Sequence, residues 1–245
     1  MLKLAVIGDP VEHSASPALH RGFLDAAEIA GTYEAIRIVS GEGARAIDEL
    51  RAAGYTGLNV TTPLKEEAFA RADARDAIAI AASAVNTLVL GTTIYGFNTD
   101  GIGTIGALAD AGLPDLAGRR VLVLGAGPTA RAAIAALVSG AVKTYVWNRT
   151  VERAVALAKQ LDANAYASDA SPFDAVFSTL PPGAELYDLD LLRAVLAAPI
   201  VIDANYAARA TLGAFLGRRD VRDGGAMLRA SARASFEMFA SDANA

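Results

Sequence analysis

The chain contains no cysteine and only two histidines, His13 and His20, among its 245 residues. The first absence excludes a disulfide framework, thiolate chemistry and a cysteine metal site, and the second leaves any zinc site dependent on carboxylates. No metal is expected. No uncharged stretch approaches the ~20 apolar residues that cross a bilayer. The opening apolar run breaks at Gly8-Asp9-Pro10, too early for the apolar region of a secretory signal, so a cytoplasmic protein is expected. Positive charge is not in excess either. Lys and Arg number 22 against 27 Asp and Glu, a net charge of −5, which gives no field for a phosphate backbone and makes nucleic acid or a membrane an unexpected partner. What is present is 53% hydrophobic and 20% charged residues, enough apolar material for one large domain or two modest ones.

Residues 4–7 form a short apolar run with a turn behind it, the pattern of a buried first strand. Ser16-Pro17 reads as an N-cap and first-turn proline, with Leu19, Phe23, Ala26 and Ala27 supplying a helix face. A cap accounts for Ser16 but not for Ser14. Two hydroxyls on a strand-to-helix loop suit a polyol or carboxylate ligand, or plain loop solvation. A second strand over 33–39, a helix over 43–53 and a third strand, Gly57-Leu58-Asn59-Val60, give the βαβ rhythm of a parallel sheet. That strand runs into Thr61-Thr62-Pro63-Leu64-Lys65, with Pro63 near the first turn of the next helix and Lys65 just inside it. A solvated lysine is the plain reading. Yet a cation there opposes the helix dipole, at a place where open α/β sheets hold ligands. Helical residues continue over 64–82 with an interruption near Asp73. Residues 84–90 and 94–97 read as two strands joined by a tight turn, and Asn98-Thr99-Asp100-Gly101 opens a helix over 102–111 with Asp100 as its local N-cap.

After the linker at 113–118 comes a buried strand, Arg120-Val121-Leu122-Val123-Leu124, and then Gly125-Ala126-Gly127-Pro128-Thr129-Ala130 leading into a helix. This G-x-G-x-x-A between strand and helix is a dinucleotide signal, because the glycines let a pyrophosphate approach the helix N-terminus. The next strand, over 143–147, ends in Asn148-Arg149-Thr150, with Arg153 one turn on and no acid before Glu152. Cations where an NAD site keeps an acid favour the 2′-phosphate of NADP. A helix over 151–161, a strand over 174–178, a turn at Pro181-Pro182-Gly183, a helix over 189–196 and a strand over 200–203 complete a doubly wound sheet. A last helix runs over 226–240, with Met227 and Met238 as packing residues.

Taken in order, Gly8-Asp9-Pro10-Val11-Glu12-His13-Ser14-Ala15-Ser16-Pro17-Ala18-Leu19-His20, Asn59-Val60-Thr61-Thr62-Pro63-Leu64-Lys65, Ala84-Val85-Asn86-Thr87, Asn98-Thr99-Asp100-Gly101, the glycine loop, Asn148-Arg149-Thr150 and Asp223-Gly224-Gly225-Ala226-Met227-Leu228 resemble the signatures of shikimate dehydrogenases nearly end to end. The resemblance implies an α/β protein of two domains. One, over 1–100 and completed by 213–245, binds substrate and carries catalysis; the other, over 101–212, is a Rossmann domain for NADP. It implies reversible, NADP-dependent reduction of 3-dehydroshikimate to shikimate, by a monomer or homodimer. Lys65 and Asp100 would be the catalytic pair. Ser14, Ser16, Thr61, Lys65, Asn86, Asp100 and Tyr206 would bind substrate, the serines and Tyr206 at its carboxylate. Gly125, Ala126, Gly127, Pro128, Thr129, Ala130, Asn148, Arg149, Thr150 and Arg153 would bind the cofactor. Two positions depart from the family pattern. Ser231 stands where a glutamine usually reaches substrate, and Ala226 where a glycine precedes the methionine. These leave quinate or aminoshikimate as alternative substrates, and a non-catalytic NADP-binding regulator as a reading of another class.

Overall fold

A computed structural model describes residues 1–168 and 172–242. Two compact units make up the chain, one of Met1–Asp100 with the chain from Ser231 onward, the other of Gly101–Ala230. No helix among the described residues is long and apolar enough to cross a membrane.

The first unit holds β1 (Leu2–Gly8), α1 (Ser16–Ala26), β2 (Gly31–Arg37), α2 (Gly43–Ala52), β3 (Gly57–Val60), α3 (Lys65–Arg71), β4 (Ala74–Arg75), α4 (Ala77–Ala82), β5 (Thr87–Leu90) and β6 (Ile94–Phe97). Its sheet runs β2-β1-β3-β5-β6-β4. β1 lies parallel to β2 and β3, whereas β5 is antiparallel to both β3 and β6. Side chains alternate across a strand, so an unbroken apolar run requires cover on both faces. β1 has it: Ala5 and Ile7 enter one buried cluster with Leu58, Val60 and Leu88, while Leu2, Leu4 and Val6 enter another with Tyr33, Phe236 and Phe239. Gly8 ends the strand because nothing larger fits. A Cβ there would lie 2.3 Å from Thr61 Cγ2 and 2.9 Å from the Thr62 carbonyl oxygen.

Local capping departs from the sequence reading at two points. Ser16 is not the cap of α1 but its first residue, and its N–H donates to Ser14 Oγ at 3.3 Å. The interruption expected near Asp73 is there, and the two-residue strand β4 fills it, paired in parallel with β6. The N–H of Asp100 donates to Asn98 Oδ1 at 3.0 Å, so Asn98 does the capping. That leaves the Asp100 carboxylate for other partners.

The second unit begins within α5 (Asp100–Asp110) and continues through β7 (Arg120–Leu124), α6 (Pro128–Ser139), β8 (Lys143–Trp147), α7 (Val151–Gln160), β9 (Asn164–Ala165), β10 (Ala175–Ser178), α8 (Leu189–Ala197), β11 (Ile200–Asp203), α9 (Leu212–Leu216) and the start of α10 (Gly225–Asp242). Its five strands run β11-β10-β7-β8-β9, every pair parallel. Both faces of this sheet are covered too. Val121, Val123 and Phe177 pack in one cluster, and Leu122, Leu124 and Val176 in another. β7 has its sequence successor β8 on one side and β10 on the other, so the strand order reverses at β7. Open α/β sheets bind ligands outside the carboxyl end at such a reversal. Met227 is buried in the second unit's core and Met238 packs against the first unit's, as expected of fillers.

Candidate active site

The loops at the ends of β3, β5 and β6 in the first unit bring three of the expected residues into contact. Lys65, the first residue of α3, places Nζ 2.5 Å from Asp100 Oδ2, and Asn86 donates Nδ2 to the other carboxylate oxygen at 2.8 Å. Asp100 and Asn86 are buried, and the Lys65 side chain is 12% exposed. An ion pair this secluded is stable only when its remaining lone pairs and protons are satisfied. Asn86 supplies one such bond, to the second carboxylate oxygen.

The orientation of Asn86 is fixed by its neighbours. The Thr99 N–H, which can only donate, lies 2.9 Å from Asn86 Oδ1, and the hydroxyls of Thr87 and Thr99 reach the same oxygen at 3.0 and 3.2 Å. The amide oxygen therefore faces the threonines and the NH2 faces Asp100. Donation continues backward through the sheet. Asn59 Nδ2 lies 3.3 Å from Thr87 Oγ1, and the Tyr33 hydroxyl donates to Asn59 Oδ1 at 2.6 Å. Burial pushes the Tyr33 phenol above its usual range, and the nearby Ser16 hydroxyl opposes that rise. Tyr33 is thus joined to Asp100 by a line of side chains through Asn59, Thr87 and Asn86. Tyr33, Asn59 and Thr87 carry this line, Thr99 braces Asn86 beside it, and none of the four stands out as a site residue in the sequence. The one signal available was a run of polar side chains on buried strands, Asn59 between Leu58 and Val60 and Thr87 beside Leu88.

Ser14 and Thr61 are half-buried, Ser14 before α1 and Thr61 directly after β3 with its N–H on the Ile7 carbonyl. Tyr206 belongs to the second unit, where it precedes a single 3-10 turn over Ala207–Arg209.

In the second unit the glycine loop stands at the strand-order reversal. Gly125 has φ +115°, and a Cβ there would lie 2.4 Å from Thr179 Oγ1, so residue 125 must be glycine. Nothing lies within 4 Å of a Cβ built on Gly127, the cap of α6, and Pro128 opens that helix. The backbone is therefore open to close approach at the helix start, where N–H groups lack intrahelical acceptors. Thr129 and Ala130 follow in the first turn, after Ala126 in the loop. After β8, Asn148 Nδ2 donates to the Thr150 carbonyl at 3.0 Å and holds the turn that displays Arg149. Arg149, Thr150 and Arg153 are exposed, and neither arginine pairs with a carboxylate among the described residues. Among those residues no group of three or more His, Asp or Glu could hold a metal.

Comparison with known proteins bears on both units. Residues 6–88 match the family described as shikimate dehydrogenase substrate binding domain, and residues 107–180 match shikimate / quinate 5-dehydrogenase. An NADP(+) shikimate dehydrogenase of Methanococcoides burtonii is 40% identical over 166 residues, 67% of this chain and 61% of the relative. One from Thermus thermophilus is 42% identical over 67% of this chain and 62% of its own. The aligned stretch thus spans about three-fifths of the curated relatives it matches. Solved structures are matched more fully. Shikimate 5-dehydrogenase from Thermus thermophilus, in complex with NADP(H) and shikimate, superposes with a TM-score of 0.84 at 30% identity, covering 98% of this chain and 94% of the other. An Ael1 enzyme from Pseudomonas putida gives 0.87 at 29% identity, with the same coverage. Motifs, strand order and these matches agree, and the chain belongs to the shikimate dehydrogenase family.

Proposed function

We propose that the protein is an NADP-dependent shikimate dehydrogenase, interconverting shikimate and its 3-keto form. The first unit is its substrate-binding and catalytic domain, and the second its cofactor domain. The observation that carries this reading is the Lys65–Asp100 contact with Asn86 on the second carboxylate oxygen. The Gly125–Gly127 loop fits the pyrophosphate of a dinucleotide, since Gly125 supplies the turn and the space beside the Gly127 backbone is open. Arg149 and Arg153 would take the 2′-phosphate, with Asn148 and Thr150 shaping their turn.

Bound NADPH supplies the hydride. The residues of this chain handle the proton. When the ketone carbon gains hydride, its oxygen becomes an alkoxide, and Lys65 donates a proton from Nζ to that oxygen. Asp100 holds the ammonium in place by pairing with its charge, and after the transfer the neutral amine takes a proton from solvent before the next reduction. In the oxidative direction Lys65 first releases its proton to solvent, and the neutral amine then takes the proton of the substrate hydroxyl as the carbon loses hydride. Ser14 and Ser16 would hold the carboxylate end, and Thr61 and Asn86 the ring hydroxyls. Tyr206 would close on the carboxylate.

The test is the initial rate of NADP⁺ reduction with shikimate, set against quinate, and both acids again with NAD⁺. The quinate arm is needed because the matching family covers both acids and Ser231 replaces a substrate-reaching glutamine. A clear preference for shikimate with NADP⁺ is expected. NADP⁺ binding without turnover of either acid would overturn the reading.

A further inference from the structure

Ser231 lies in α10, 132 residues from Thr99, and their hydroxyl oxygens are 2.7 Å apart. A hydroxyl has one proton to give. The Thr99 proton is committed to Asn86 Oδ1, which that hydroxyl reaches at 3.2 Å. Thr99 is then left as acceptor, and Ser231 is the donor. Donation from Ser231 holds the Thr99 hydroxyl in the rotation that serves Asn86. Asn86 in turn presents NH2 to Asp100 only while its oxygen stays engaged on the far side. The result is a one-way line of donors, Ser231 to Thr99 to Asn86 to Asp100, ending on the carboxylate that holds Lys65.

We propose that Ser231 is a positioning residue: through Thr99 it fixes the Asn86 amide, and through that amide the Asp100 carboxylate beside Lys65. This role rests on Lys65 and Asp100 being the proton-handling pair. It also answers the departure from the family pattern in a specific way, because the serine has an occupation of its own inside the first unit. A direct substrate contact by Ser231 would act on substrate binding. Positioning acts on turnover.

The experiment compares kcat and KM for shikimate with NADP⁺ in the unsubstituted enzyme and in S231A, S231T, T99V and the S231A/T99V double variant. Losing one neutral hydrogen bond from the line should lower kcat about 3- to 10-fold in S231A. KM should be little changed, and S231T should recover most of the rate. Because Ser231 acts through Thr99, the double variant should be no slower than T99V alone. A raised KM at unchanged kcat, an unaffected kcat, or losses that multiply in the double variant would each overturn the proposal. Alanine is the best helix former, so S231A should fold, and T99V probes the same bond from its other end. If the unsubstituted protein does not turn over shikimate, the functional reading fails, and the positioning claim is decided by the Asn86 side-chain amide in NMR. Slower hydrogen exchange there in the unsubstituted protein than in S231A upholds it, and equal exchange overturns it.

Discussion

His20 shows how the fold treats a titratable group that the chemistry does not use. It is fully buried in α1, stacked on Tyr33 at 4.3 Å and ringed by Phe23, Phe236 and Phe239. Among the described residues its Nδ1 has no hydrogen-bond partner, and Nε2 meets only Ser235 Oγ, at 3.5 Å. Burial lowers its pKa to about 4. The unfolded chain, with a histidine near 6.5, takes up the proton first. Acid therefore favours unfolding, and this contribution is lost as pH falls from about 6.5 toward 4. At pH 5 the loss is about 2 kcal/mol. Melts at pH 7 and pH 5 should show the pH-dependent part of the stability shrinking by about that amount in His20→Phe. An unchanged difference would mean that other groups carry the acid sensitivity.

Among the elements, α2 owes its start to a neighbour. Glu67 of α3 accepts from the backbone N–H groups of Gly41 and Gly43, both at 2.8 Å. A carboxylate at a helix start meets N–H groups without intrahelical acceptors and the positive end of the dipole. Its loss in Glu67→Ala should cost about 1–2 kcal/mol in denaturant unfolding, while Glu67→Gln keeps part of it. Equal stability of Glu67→Ala and the unsubstituted protein would contradict the cap. This element also marks where sequence reading runs out. β1 and β7 were legible because a strand covered on both faces must be apolar throughout. The cap of α2 was not, since Glu67 lies 24 residues beyond Gly43 and nothing local links them. The same holds for β4, whose two residues make sense only against β6, and for Asn98, which takes the capping role that local chemistry gave to Asp100. At the site, Lys65, Asn86 and Asp100 were named by motif. Tyr33, Asn59, Thr87 and Thr99 were hidden because their bonds run between strands and loops distant in sequence.

At the scale of the molecule, the proposed roles divide between the two units. Apart from Tyr206, the proposed substrate groups belong to the unit with the mixed sheet and the proposed cofactor groups to the unit with the parallel one, which gives separable binding phenotypes. Arg149→Ala should raise the dissociation constant for NADP⁺ about 10- to 100-fold, the worth of a charge-assisted contact, and change that for NAD⁺ far less. Shikimate affinity measured without nucleotide should stay as it was. Equal losses for NADP⁺ and NAD⁺ would show that Arg149 does not read the 2′-phosphate.

The account turns on Lys65 as the proton donor held by Asp100. The most direct test is kcat for shikimate in Lys65→Ala, with NADPH affinity measured on the same preparation. Removing the group that exchanges the proton with the substrate oxygen should lower kcat by about 10²- to 10⁴-fold and leave NADPH binding unchanged. Near-normal turnover in that variant would contradict the account.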